Sequence, residues 1–157
     1  PAVLKVIRNC TFRNGNQPAI VVRGAANVLI EGNIFESIRT RIPGDGVHAI
    51  AIRGRDRAQG IVIRGNAFRF IGADGIQMGD SGREVRDVTI ADNVFEGAAG
   101  VGENAVDVKG VEGPILIRGN TVHGFRPCLS PRKGGTQDCS GSEGAGIVVH
   151  DVHRDFE

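Results

Sequence analysis

A chain of 157 residues with a net charge of +1 is about one domain in size, long enough to bury a core, and carries no overall field that would draw it to nucleic acid. Apolar residues make up 40% of it but only 4% is aromatic, with neither Trp nor Tyr, so the core must be built from Ile, Val, Leu, Ala and a few Phe, which favours strands. No apolar run approaches the roughly 20 residues of a membrane span, and 24 glycines without a three-residue period exclude collagen while requiring frequent turns.

The chain opens at Pro1 with no charged segment followed by an apolar one, so any targeting peptide has been removed or lies outside this sequence. The first strand is read in "VIRNCTF", Val6 to Phe12. It is followed by "AIVVRG" from Ala19, "VLIEGNIF" ending at Phe35, "AIAIRG" from Ala49 and "IVIRGNAF" ending at Phe68. The pattern continues with "GIQMGD" from Gly75, "VTIADNVF" ending at Phe95, "AVDVKG" from Ala105, "ILIRGNTV" ending at Val122 and "GIVVHD" from Gly146. Two alternating segment types therefore repeat along nearly the whole chain.

Aligned on IRGN, the first type places Asn33, Asn66, Asn93 and Asn120 in one column and Ile30, Ile63, Ile90 and Ile117 in another. In the earliest copy either Cys10 or Asn9 takes the Asn column; with Cys10 there, Phe12 joins the Phe column. The Asn column advances by 33, 27 and 27 residues, so the unit is a short coil with variable turn insertions and no room for helices. The second type begins with Ala or Gly. Its period-2 alternation puts Ile20 and Val22, Ile50 and Ile52, Ile76 and Met78, Val106 and Val108, and Ile147 and Val149 on one buried face. Five coils are expected to stack, each turning where Gly permits a bend and Asn satisfies buried backbone groups.

Near the end, "CLSPRKGGTQDC" runs from Cys128 to Cys139 and is too rich in Gly, Pro and Ser for regular structure. These two cysteines are either bridged or free. A disulfide would restrain the loop and imply an oxidising compartment, secreted or periplasmic. Cys10 is left over and is expected as a small buried hydrophobe.

The I-x-x-N-x-F columns and the Ala/Gly-led second strands resemble the right-handed parallel β-helix of the pectate-lyase-like superfamily. The resemblance implies an all-β solenoid of about five coils with an Asn ladder, forming a single domain over residues 1–157. Open terminal coils expose strand edges and apolar core. Because neither end carries a capping helix, the sequence reads as a fragment, or as a chain that associates end to end.

Outward positions of the second strand type are where a site is sought, since fold alone does not give function. One column reads Val21, Ala51, Gln77, Asp107, Val148 and the next Arg23, Arg53, Gly79, Lys109, His150. At about 4.8 Å per coil the second makes a mostly basic stripe, suited to a long anionic chain. The resemblance implies that such a face binds acidic polysaccharide and that a lyase of this kind uses a Lys or Arg as base, often with Ca²⁺. The polar cluster "GENAVDVKG" then supplies catalytic candidates in Lys109 and Asp107, joined by His150. Lys109 takes the proton beside a uronate carboxylate in a β-elimination, although the adjacent carboxylate opposes its use as a base. Arg23, Arg53, Gln77 and Asn104 are the substrate-binding candidates.

Asp45, Asp74, Glu103 and Glu143 each shortly precede a second strand, and Glu103 with Asp74 would hold Ca²⁺ through oxygen ligands. His150 and His153 have a spacing that could ligate zinc, but no further Cys or His completes a tetrahedral set. The chain lacks the aspartate pair of the polygalacturonases, the D-P-H-D motif of the mannuronan epimerases and a clear Ca²⁺ motif of the classical pectate lyases. Two functions remain open: a protein that binds and cleaves uronate polysaccharide, and a non-catalytic structural or adhesin-like β-helix segment of a larger extracellular protein. Nucleic acid is not expected as a partner, because the charge is balanced and no exposed aromatic platform is evident.

Overall fold

The structure is a computed structural model that describes residues 3–39, 47–53, 57–79, 85–97, 102–125 and 144–150. Every regular element among them is a strand, and the strands recur in threes. The first level carries β1 (Lys5–Arg8), β2 (Thr11–Arg13) and β3 (Ile20–Arg23), and the second β4 (Ala26–Glu31), β5 (Ile34–Glu36) and β6 (Ile50–Arg53). Then come β7 (Ala58–Arg64), β8 (Ala67–Arg69) and β9 (Ile76–Met78), followed by β10 (Val85–Ala91), β11 (Val94–Glu96) and β12 (Val106–Val108). The last level is β13 (Ile115–Arg118), β14 (Thr121–His123) and β15 (Ile147–Val149).

Each strand pairs in parallel with its equivalents one level away, giving three five-stranded sheets ordered β1-β4-β7-β10-β13, β2-β5-β8-β11-β14 and β3-β6-β9-β12-β15. The chain is thus an all-β parallel solenoid of about 4 turns. No helix among the described residues is long and apolar enough to cross a membrane.

The repeated IRGN stretch is not one strand but a corner between the first and second sheets. Gly32, Gly65 and Gly119 have φ of 63°, 61° and 64°. At the same corner Asn9 and Asp92, both with φ 55°, stand in for glycine, these being the side chains that best tolerate the left-handed region. A second left-handed column, Asn27, Gly60 and Asp87, interrupts the first sheet. There Ala26 pairs with Gln59 and Val28 with Ile61 while Asn27 and Gly60 are skipped, so a bulge is stacked across β4, β7 and β10 and bends these three strands at one place.

After each corner an asparagine turns inward, and Asn33, Asn66 and Asn93 are almost wholly buried. The Nδ2 of Asn66 donates to Asn93 Oδ1 at 2.9 Å and to the Ile30 carbonyl at 3.0 Å. Its Oδ1 accepts from the backbone N–H of Asn33 at 2.8 Å and from Asn33 Nδ2 at 3.0 Å. Asn93 repeats the pattern onto Asn120 and Ile63. At the first level the N–H of Cys10, not of Asn9, donates to Asn33 Oδ1 at 2.9 Å, which settles the register. Corner backbone groups that no ladder bond reaches are satisfied by this stack.

The core lies along the axis. The first sheet contributes Val28, Ile30, Ile61, Ile63, Val88 and Ile90, and the third Ile50, Ile52, Ile76, Met78, Val106 and Val108. From the second sheet Phe12, Phe35, Phe68 and Phe95 stack with centroids 5.1, 4.8 and 4.5 Å apart and rings within 9° of parallel. Each fully buried Ile or Phe contributes about 1.5–3 kcal/mol.

Two burial expectations need correction. Ile147 and Val149 hold the inward register opposite Val106 and Val108 but remain 45% and 59% exposed. Cys10 is likewise exposed, a free thiol within 3.3 Å of the Arg8 carbonyl. In both cases no described strand covers the far side of the level.

Candidate functional site

The outward side chains of the first and second sheets form ladders of opposite charge. On the second sheet Arg13, Glu36, Arg69, Glu96 and His123 are consecutive register partners. Arg13 Nε lies 2.9 Å from Glu36 and Arg69 Nε 3.4 Å from Glu96. On the first sheet Arg8, Glu31 and Arg64 are stacked, with Arg64 Nη2 2.7 Å from Glu31. Near its bulge Arg86 pairs with Glu112. Opposite charges one rung apart suit a parallel stack, and like charges there oppose it.

The third sheet departs from this rule. Arg23 and Arg53 are direct partners, one cation opposite another, and no carboxylate enters their column, which continues through Gly79 to Lys109 and His150. The adjacent column, Val21, Ala51, Gln77, Asp107 and Val148, supplies the polar partners. Arg53 Nη1 donates to Gln77 Oε1 at 3.0 Å, which fixes the guanidinium over the sheet. The face thus joins Arg23, Arg53, Gln77, Asp107, Lys109 and His150, the grouping expected from alternation along five strands.

Asp107 is the centre of the polar end. It points outward but is only 2% exposed, because the Lys109 and His150 side chains lie over it. Its Oδ2 is 2.6 Å from Lys109 Nζ, and its Oδ1 faces His150 Nε2 at 3.3 Å without a hydrogen bond; both atoms are buried with no hydrogen-bond partner. Partial burial pulls the Lys109 ammonium toward deprotonation. The hydrogen bond and charge of Asp107, with the more distant charges of Asp74 and Glu103, outweigh it and hold Lys109 above the ordinary lysine value of 10.5. An amine held this way neutralises negative charge rather than accepting a proton at neutral pH.

Asn104, expected to meet substrate, belongs to the interior instead. It is 2% exposed, its N–H and Nδ2 both donate to Asp74 Oδ1 at 3.1 and 3.0 Å, and its Oδ1 accepts from the Ala145 N–H at 3.2 Å. Asp74 is fully buried, and its other oxygen lies 3.1 Å from His48 Nδ1. Asp74 and Asn104 thus form a short second ladder at the turn before the third sheet, in which Asp74 Oδ2 is buried without a hydrogen-bond partner. The partnership with His48 has no sequence signal, because His48 sits 26 residues from Asp74 in a column of unlike residues.

Of the pair expected to hold Ca²⁺, Glu103 and Asp74, the Asp74 carboxylate is fully buried, with one oxygen bonded to Asn104 and the other facing His48. Among the described residues no group of three His, Cys, Asp or Glu side chains is placed to hold a metal ion. Asp45, Glu143, His153 and the Cys128–Cys139 loop lie outside the described residues. An open depression on the first sheet, lined by Leu4, Leu29, Val62 and Arg64 among others, offers little converging polar chemistry. The chain matches no protein-family model, no curated protein and no solved structure.

Proposed function

We propose that this is a carbohydrate-active solenoid, of the kind its columns resemble in the right-handed pectate-lyase-like superfamily, which engages an acidic, uronate-containing polysaccharide along its third sheet. The observation that carries the reading is the one-signed column. The second sheet alternates Arg with Glu over four rungs and the first over three, while the third sets Arg23 against Arg53 and continues to Lys109 and His150 with no acidic member in the column. A polyanion lying along the solenoid axis meets Arg23 and Arg53 on adjacent rungs about 4.8 Å apart and, past Gly79, Lys109 and His150.

The chemistry that suits this face is β-elimination, with the proton-transfer groups in the Asp107, Lys109 and His150 cluster. The test is ultraviolet absorbance of unsaturated uronate during incubation with polygalacturonate, alginate and glycosaminoglycans, with Ca²⁺ or a chelator. Product from one of them supports the reading; no product and no salt-dependent binding to any of them removes it.

A second reading, a structural or adhesin-like solenoid segment that stacks end to end, is favoured by the first level. Val3, Leu4 and Val6 are 74%, 59% and 44% exposed there, along the edge strand β1. It predicts concentration-dependent self-association without polysaccharide binding, measured by analytical ultracentrifugation.

A further inference from the structure

The arrangement around Asp107 moves to a second side chain the proton-acceptor role that the reading of "GENAVDVKG" gives to Lys109. We propose that His150, oriented by the buried carboxylate of Asp107, takes the proton in the elimination, and that Lys109 supplies the positive charge that receives the substrate's carboxylate. This assignment of roles rests on the lyase reading of the third sheet.

Three observations carry it. Asp107 is buried on an outward-facing position, which is unusual for a carboxylate on a single-layer sheet unless its neighbours are arranged over it. Its Oδ2 is engaged by Lys109, while its Oδ1 and His150 Nε2 face one another at 3.3 Å, both buried and neither in a hydrogen bond. A carboxylate oxygen can only accept, so the hydrogen bond that a small rotation of the ring would complete requires the proton on Nε2 and leaves a lone pair on Nδ1. The long distance is typical of such pairs before substrate tightens them. The imidazole is 41% exposed, so its other edge is open to a chain lying on the sheet.

Lys109 is suited to the complementary task. Its neighbours hold it above the ordinary lysine range, which disfavours proton acceptance and favours pairing with a carboxylate. It stands one rung from His150 in the same column, with neutral Gln77 on the rung beyond Asp107, so charge stabilisation and proton acceptance lie side by side.

In the step itself, Nδ1 of His150 takes the proton from C5, the carbon next to the carboxylate. The C–H electron pair forms the C4–C5 double bond. The C4–O bond breaks, and its pair leaves with the glycosidic oxygen, which takes a proton from water; the imidazolium returns its proton to the hydroxide formed. Lys109 stabilises the charge that builds on the carboxylate oxygens, an effect of the electrostatic kind that dominates many such reactions.

The experiment compares wild type with His150→Gln, Lys109→Met, Asp107→Asn and Asp107→Glu for unsaturated product on polygalacturonate and alginate. Circular dichroism confirms that each variant is folded, and a gel-shift assay measures polygalacturonate retention. His150→Gln is expected to lower turnover at least about 100-fold while retaining binding. Lys109→Met is expected to raise KM and to leave measurable turnover. For Asp107 as a positioning residue the readout is ¹⁵N NMR of the His150 imidazole. Wild type is expected to hold one tautomer, Asp107→Asn to mix the two, and Asp107→Glu to restore part of the rate. Turnover within about threefold of wild type in His150→Gln, or abolition by Lys109→Met alone, overturns this assignment and leaves the lyase reading standing. No product from wild type on either substrate overturns this assignment, and the lyase reading falls with it when glycosaminoglycans also yield none and no salt-dependent binding is seen.

Discussion

Replacing Asn66 with Ala tests whether the asparagine ladder, rather than apolar burial alone, holds the corners of the solenoid. Asn66 is 2% exposed in the third of five levels, and its side chain accepts two hydrogen bonds from Asn33 and donates to Asn93 Oδ1 and to the carbonyls of Ile30 and Arg64. Alanine removes all five. The N–H and one Nδ2 hydrogen of Asn33 then lose their acceptor inside the stack, while Asn93 Oδ1 keeps the backbone N–H of residue 66. At ~1–3 kcal/mol for each buried group left unsatisfied, the two donors cost about 2–6 kcal/mol. That is a large share of the roughly 5–15 kcal/mol available to a domain. Because each level of a solenoid contacts only its neighbours, a fault in the middle is felt on both sides. Asn120 is the control. Its Nδ2 donates to the Ile90 carbonyl and its Oδ1 accepts from both the N–H and Nδ2 of Asn93, but it is only partly buried, so water can replace these bonds and alanine there is expected to cost less. Urea denaturation followed by far-ultraviolet circular dichroism gives both values. A loss below about 1 kcal/mol for Asn66→Ala, or an equal loss at the two positions, refutes the ladder as the stabilising element.

Gly65→Ala isolates backbone conformation, since φ is 61° and an added Cβ meets nothing within 4 Å. The expected cost is ~1–2 kcal/mol, smaller for Gly65→Asn, and equal melting temperatures for all three proteins would contradict it. Phe68→Ala removes a ring stacked 4.8 and 4.5 Å from its neighbours and is expected to cost about 3–5 kcal/mol by the same denaturation assay. The raised Lys109 pKa stabilises the fold fully below the ordinary value of 10.5, and the contribution is lost as pH rises through the folded value. Asp107→Asn should therefore lower the melting temperature relative to wild type at about pH 8, and the gap should narrow above pH 10.5. A gap that does not change with pH would exclude the ion pair as its cause.

The columns of Asn33, Asn66, Asn93 and Asn120 and of the phenylalanines were legible because identical residues repeat at matching positions, and the structure stacks them as ladders. What hid one of the three sheets was the corner inside IRGN: a longer apolar strand such as Ala58–Arg64 and a short one such as Ala67–Arg69, set around a bend, read together as one run. The bulge column was invisible for a different reason. Asn27, Gly60 and Asp87 share only a tolerance of positive φ, a property no alignment of letters displays. Alternation correctly placed Asp107 on the outer face, yet it could not show that Lys109 and His150 cover it, because that burial is made by side chains from two levels. The same limit applies to Asn104, whose polar neighbourhood in "GENAVDVKG" suggested a surface role while its partner Asp74 lies a full turn away in the interior.

The most direct test of the central claim, that the third sheet is the polyanion face, is polygalacturonate affinity by gel retardation for Arg23→Glu/Arg53→Glu and for Arg13→Glu/Arg69→Glu on the second sheet. Binding by wild type that weakens as salt is raised, falls at least about tenfold in the first double variant and changes little in the second is the predicted result. Equal effects from the two faces, or wild-type binding indifferent to salt, would contradict it.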